Sequence, residues 1–168
     1  MERVMNVVIG LLLCAIVPAS SVIAAVPPKK VVIGISKIVA HPALDAVEKG
    51  IQDQLAAAKI SATFDLQNAN GDIGTAASIA SKFQSEKVTV AVGIATPTSQ
   101  SLVNTLKGIP IVFSAVTDPV KAGLVPTLRG SKKPVTGVSD MTPVRQQIEL
   151  LLKIKKIKRL GHIYTSSE

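Results

Sequence analysis

The sequence predicts an α/β fold, a doubly wound parallel sheet with helices on both faces. From residue 31 onward, short segments that are apolar throughout alternate with longer segments whose apolar residues recur at helical spacing. Strands that are apolar on both sides, rather than alternately apolar and polar, are typical of parallel sheets buried between helices. The 168 residues are 47% hydrophobic and only 2% aromatic, so Ala, Val and Ile must form most of the core.

The first part of this pattern contains four strands, each followed by a segment that predicts a helix or a turn. The predicted strands are residues 31–38, 63–69, 88–94 and 109–116. The segments between them each have an apolar face, with Leu44, Val47, Ile51 and Leu55 on the first, Ile73, Ala76, Ala77, Ala80 and Phe83 on the second, and Leu102, Val103 and Leu106 on the third. Asp72 is expected to cap the second helix. These elements form one complete α/β unit.

After residue 128 the regular alternation of apolar strands and amphipathic helices is interrupted. Residues 128–134 predict a polar loop, residues 135–141 an extended segment, and residues 159–165 another strand. Between the last two, a helix begins near Thr142, and its Val144, Ile148, Leu151 and Leu152 are expected to face inward. Because the sequence stops in the middle of a βαβ rhythm, we expect it to be a fragment of a two-domain protein.

Proline occupies the first predicted helical position at four places. The four dipeptides are His41-Pro42, Thr96-Pro97, Asp118-Pro119 and Thr142-Pro143. Thr96, Asp118 and Thr142 are residue types that can cap a helix, and proline at this position loses no hydrogen bond. The first three dipeptides follow the carboxyl ends of strands, the edge at which doubly wound sheets bind ligands. Free amides there favour an anion, so these positions predict a cap, the wall of a binding site, or both.

Residues 1–25 predict a signal peptide, which would make the mature protein periplasmic or otherwise extracytoplasmic. The apolar run at 7–17 is too short to span a bilayer, and small residues follow it, with cleavage expected after Ala24 or Ala25. A retained membrane anchor is the alternative. Lipid attachment at Cys14 is disfavoured because the bulky Leu13 precedes it. Cleavage would leave no cysteine for a disulfide or a thiolate metal site.

Several functional classes lack their expected signature. The net charge of +8 is scattered and has no aromatic platform beside it, which argues against nucleic-acid binding. The sequence has no phosphate-binding loop, no GxGxxG and no HExxH, so it predicts no catalytic residues, no metal and no cofactor. The segment GVSDM at 137–141 lacks the final glycine of a nucleophile elbow. The segment NANGDIG at 68–74 lacks the terminal glutamate of a calcium loop.

Five stretches, in order, carry a family resemblance. They are VVIGISKIVAHPALDAVEKGIQDQL, VGIATPTSQSL, IPIVFSAVTDPVKAGLV, VTGVSDMTPVRQQIELLLKI and RLGHIYTSSE. Together they resemble the substrate-binding proteins of ABC importers, which have the type I periplasmic binding fold, and most of all the tryptophan/tyrosine-type or uncharacterised branch. The resemblance implies two similar lobes that enclose a ligand. Residues 26–134 would be lobe one, residues 135–141 a hinge crossover, and residues 142–168 the start of lobe two.

The resemblance also implies a ligand site and partners. The implied ligand-binding residues are Lys37, His41, Ala95, Thr96, Pro97, Thr98, Ser114, Ala115, Val116, Asp118, Ser139, Thr165 and Ser166. The implied ligand is an amino acid or a similar small molecule, the implied partners are ABC permease subunits, and the complete protein is expected to be a monomer. Two rivals remain, the effector domain of a sugar-responsive repressor and a flavodoxin-like or hydrolytic enzyme. The first would carry a helix-turn-helix in place of the export signal, and the second a phosphate loop or a nucleophile.

Overall fold

The computed structural model describes residues 31–129 and 134–161. Strands and helices alternate as predicted as far as β4, which is followed by a second strand and then a helix: β1 Val31–Lys37, α1 Pro42–Ala57, β2 Ala62–Asn68, α2 Ile73–Glu86, β3 Val90–Ile94, α3 Thr96–Thr105, β4 Ile111–Val116, β5 Val135–Ser139 and α4 Val144–Ile154. Within the described ranges, no helix is long and apolar enough to cross a membrane.

All five strands are parallel and form one sheet in the order β2-β1-β3-β4-β5. This arrangement confirms the predicted α/β class and its doubly wound topology, because the chain first moves outward from β1 to β2 and then returns past β1 to β3. The extended segment after residue 134 becomes the fifth strand, with Val135 opposite Ile111. Its further role as a hinge crossover stays a prediction.

Helices cover the sheet on both faces, as the apolar strands predicted. Helices α2 and α3 bury Phe83 and Leu102 against one face. Helix α1 packs Leu44, Val47, Ile51 and Leu55 against Ile33 and Ile35 on the other. The Phe83 ring lies so close to β1 that a Cβ on Gly34 would come within 2.8 Å of it, so this packing requires glycine.

Two predicted elements differ in the structure. The helix expected after Asp118-Pro119 is a short turn, because Gly123 adopts a positive φ of 74° and Pro126 follows soon afterwards. Residues 159–161 are not a strand, and residues 162–165 lie outside the described residues.

The predicted orientation of α4 is also wrong. None of its residues is buried, although its apolar residues were expected to face inward. The helical spacing is confirmed, and residues 157–160 lie beside Ile148, Leu151 and Leu152 without burying them.

Candidate functional site at the carboxyl edge of the sheet

The register of the parallel strands brings the predicted site segments to one edge. Lys37 at the end of β1 lies opposite Ile94, Ile94 lies opposite Ser114, and Val116 lies opposite Ser139. The loops that begin at these positions therefore start side by side. Whether the residues bind a ligand stays a prediction, and Thr165 and Ser166 lie outside the described residues.

Ala95 joins β3 to α3 in a conformation that alanine rarely adopts. Its φ of 84° and ψ of 161° belong to a region populated almost only by glycine. Its amide donates a hydrogen bond to the carbonyl of Ser114 on the neighbouring strand, at 3.0 Å. Backbone strain of this kind is held in place by surrounding contacts and concentrates at functional sites.

Helix α3 begins one residue earlier than the sequence indicated. The predicted cap at Thr96 is wrong, because Ala95 is the N-cap and its carbonyl accepts the first helical bond from the Ser99 amide, at 3.2 Å. Among the residues that the structure describes, no side chain caps this helix. The amides of Thr96 and Thr98 come before that first bond, and Pro97 between them has no N–H. The start of α3 therefore offers donors and the positive end of a helix dipole.

Two buried hydroxyls form hydrogen bonds to the backbone carbonyls of this turn. Thr98 donates to the carbonyls of Ile94 and Ala95, at 2.8 and 3.1 Å. Ser99 donates to the carbonyls of Ala95 and Gly93, at 2.8 and 3.1 Å. Both side chains are fully buried. Thr98 was among the implied ligand-binding residues, and here its hydroxyl fixes the backbone of the turn.

Ser36 was not singled out from the sequence. It lies in β1 opposite Gly93, it is fully buried, and its hydroxyl has no hydrogen-bond partner among the described residues. Buried polar groups are nearly always satisfied, so such a group points to a bound water or ligand nearby. The sequence feature that could have pointed to Ser36 is its position as a polar residue within the apolar strand VVIGISK.

The end of β1 is held by an ion-pair cluster. The Lys37 ammonium lies within 3.2 Å of a Glu48 carboxylate oxygen and still closer to Asp45, both on α1. The hydrogen bond that Lys37 donates to Asp45 raises the pKa of Lys37 above its usual value, with Glu48 contributing, while burial opposes the shift. The Lys37 ammonium is thus paired with two carboxylates of α1. This pairing holds the loop between β1 and α1 in position. Asp45 and Glu48 were missed because their partner is distant in sequence.

His41 closes the same loop. Its Nδ1 accepts a hydrogen bond from the amide of Ala43, at 3.2 Å, so His41 caps α1. An imidazole is an unusual cap, which is why the sequence did not assign it this role.

The end of β4 is irregular. Ala115 has a φ of 55° at a break in the β4–β5 register. Asp118 Oδ1 accepts hydrogen bonds from the amides of Val120 and Lys121, at 3.2 and 3.0 Å, and caps the turn. The Ser139 hydroxyl donates to the carbonyl of Thr117, at 2.7 Å. Asp118 and Ser139 therefore shape the loops at this edge.

The edge offers backbone amides and hydroxyls rather than a metal-binding cluster. Among residues 31–129 and 134–161, no group of three or more His, Cys, Asp or Glu side chains lies close enough to hold an ion. An arrangement of amides at a helix start suits a small anionic group such as a carboxylate.

Comparison with known proteins identifies the family. The model of the family described as ABC transporter substrate binding protein matches residues 32–168. The chain belongs to this family.

Three relatives of this substrate-binding protein have known names or structures. A tyrosine-binding protein of Clostridioides difficile is 42% identical over 141 residues, which cover 81% of this chain and 41% of the relative. A conserved domain protein of Vibrio cholerae matches with a TM-score of 0.71 and 48% identity over 75% of this chain and 44% of its own. An ABC domain of Streptococcus pneumoniae in complex with L-Trp matches with a TM-score of 0.67 and 40% identity. The match covers 71% of this chain and 41% of that relative.

The chain thus spans less than half the length of each of these relatives.

Proposed function

We propose that this substrate-binding protein captures an amino acid at the carboxyl edge of its sheet, delivers it to an ABC permease and leaves it chemically unchanged. The start of α3 carries the proposal. There the strained Ala95 turns the chain so that uncapped amides begin a helix at the ligand-binding edge of a doubly wound sheet.

The ligand carboxylate would accept a hydrogen bond from the amide of Thr96, which is partly exposed, while the fully buried Thr98 supports the turn. The helix dipole favours a negative charge at this position. The hydroxyls of Thr98 and Ser99 hold the turn rigid, so little conformational entropy is lost when the anion arrives. The loops that end in His41 and Asp118 lie on either side and would contact the rest of the ligand.

An aromatic amino acid is the proposed ligand class. The named relatives include a tyrosine-binding protein and a structure in complex with L-Trp, at 42% and 40% identity. Because the chain spans less than half of each relative, the described edge would supply one side of a cleft. Binding would then proceed by closure of two lobes, a hinge motion.

The proposed location is outside the cytoplasm. The apolar run and the small residues within the first 25 residues support export. N-terminal sequencing of protein recovered from the periplasm should begin at Ala25 or Val26. Recovery of an intact Met1 on a cytoplasmic product would contradict export.

The chain contains no tryptophan, so a bound L-Trp can be followed through its own fluorescence. The anisotropy of L-Trp should rise as protein is added, while tryptamine, which lacks the carboxylate, should respond far less. Thr96→Glu places a competing carboxylate at the helix start, where the dipole favours it, and should weaken L-Trp binding by roughly tenfold or more with no loss of fold.

Ser61→Glu is the matched control, because it adds the same charge at an exposed position just before β2, on the opposite edge of the sheet. Equal binding of L-Trp and tryptamine, or equal loss in both variants, would overturn the carboxylate site.

A further inference from the structure

The loop between β2 and α2 contains the only asparagine–glycine pair in the sequence, Asn70-Gly71. Both residues have a positive φ, 52° and 81°, and the Asp72 amide donates a hydrogen bond to the Ala69 carbonyl at 3.0 Å. This is the pattern of a tight turn with two left-handed central residues, which asparagine and glycine tolerate best. Both side chains are exposed, so the pair is fixed in conformation and open to water.

An asparagine that precedes a glycine can lose its side-chain amide without an enzyme. The glycine nitrogen gives up its proton to a base and attacks the asparagine Cγ, ammonia leaves, and a cyclic succinimide forms. Water then opens the ring at either carbonyl, which gives aspartate or isoaspartate. The net reaction consumes water and releases ammonia. Glycine favours the attack because it has no side chain to obstruct its nitrogen.

In this fold the attacking nitrogen is already bonded. The Gly71 amide donates a hydrogen bond to the carbonyl of Ile38, in the loop after β1, at 2.7 Å. The preceding amide, that of Asn70, donates to Asn68 Oδ1 at 2.9 Å. Attack on the Asn70 side chain requires the Gly71 nitrogen to give up both its proton and its bond to Ile38, so the reaction must wait until this loop opens.

We propose that Asn70 is a site of spontaneous deamidation and that the hydrogen bond from Gly71 to Ile38 sets its rate. The other asparagines of the described ranges are poorer sites. Asn68 precedes Ala69, and Asn104 lies within α3 before the β-branched Thr105. The proposal rests on contacts inside the described sheet and requires no ligand.

The modification would alter the edge at which the candidate site lies. Isoaspartate lengthens the main chain by a carbon atom, so the turn could not present the Gly71 amide to Ile38 as it does now. The loop that Ile38 begins continues to His41, the cap of α1. Deamidation at Asn70 would therefore loosen the segment that leads into α1.

Peptide mapping by mass spectrometry, on chain aged in mildly alkaline buffer, tests the proposal. Asn70 should convert before Asn68 and Asn104. It should convert in the folded chain at least about threefold more slowly than in concentrated urea, since opening must break a hydrogen bond. Equal rates in the two conditions, no conversion in urea, or earlier conversion of another asparagine would overturn the proposal.

Hydrogen exchange separates the effect of this bond from general rigidity. As urea is raised below the unfolding transition, exchange of the Gly71 amide and deamidation of Asn70 should accelerate together. A deamidation rate that stays constant while Gly71 exchange accelerates would contradict control by this bond.

Asn70→Gly is the matched control, because glycine accepts a φ of 52° and carries no side-chain amide. On ageing, this variant should acquire fewer acidic species than wild type on isoelectric focusing. Equal acidification of the two chains would place the modification elsewhere and refute the assignment to Asn70.

Discussion

The Ser99 hydroxyl donates a hydrogen bond to the carbonyl of Gly93, at 3.1 Å, and the backbone of Ser99 lies directly against that glycine. A Cβ on Gly93 would come to 2.6 Å from Ser99 Oγ and 2.7 Å from Ser99 Cα. Helix α3 therefore packs on β3 more closely than any other residue at position 93 would allow. This close approach sets where the helix begins and where its first amides lie.

Gly93→Ala should destabilise the fold because the clash involves backbone and not only a flexible side chain. Overpacking in a core costs about 1–3 kcal/mol of unfolding free energy. Gly50→Ala is the matched control, since its Cβ meets no atom and helix propensity alone should add about 0.5–1 kcal/mol. Urea unfolding should give opposite signs for the two variants, and two changes of the same sign would contradict this packing.

Ala95→Gly should stabilise the protein, in contrast to most substitutions of alanine by glycine. Relief of the strained backbone at φ 84° is worth about 1–3 kcal/mol, which exceeds the entropic penalty of glycine, about 0.5–1 kcal/mol. Ala91→Gly, within the preceding strand β3 and without a positive φ, should lower the melting temperature. If Ala95→Gly lowers it as well, Ala95 is not strained in solution.

The two threonines of the α3 turn should behave differently. Thr98→Val keeps the shape of the side chain but removes the hydroxyl that serves the carbonyls of Ile94 and Ala95, so it should cost about 1–3 kcal/mol of unfolding free energy. Thr96→Ala removes no capping bond and should change stability by less than about 0.5 kcal/mol. Thermal unfolding of both variants tests this, and a larger loss for Thr96→Ala would restore Thr96 as the cap.

The Lys37 cluster should make stability depend on pH in the alkaline range. Because folding raises the pKa of Lys37 above 10.5, its stabilising contribution is fully present below pH 10.5 and is lost as pH rises through the folded pKa. Lys37→Met should therefore lower the unfolding free energy at pH 7, and its difference from wild type should shrink above pH 10.5.

Lys49→Met is the control for this measurement, because the pair of Lys49 with Asp53 lies in solvent and contributes little. Unfolding free energies measured from pH 7 to 11 decide the matter. A gap between wild type and Lys37→Met that stays constant to pH 11 would contradict the assignment.

That the predicted site segments share one edge could be foreseen from the sequence, but the contacts of their side chains could not. The apolar strands and the prolines after them predict the carboxyl edge, because parallel strands end on one side of a sheet. The sequence does not show that Lys37 pairs with Asp45 and Glu48, that His41 caps α1, or that the Thr98 hydroxyl is turned inward. Those contacts depend on side-chain directions that residue type and spacing leave open.

The sequence by itself determined the class of fold and the order of its first strands and helices, and it predicted the edge at which a ligand would bind. These properties follow from hydrophobic period and turn chemistry, which are local. Only the tertiary structure decided that Ala95 adopts a strained conformation, that the buried Ser36 hydroxyl finds no partner among the described residues, and that α4 remains exposed. Each of these depends on which atoms of distant segments come together, and an amphipathic helix has the same spacing whether or not a surface covers it.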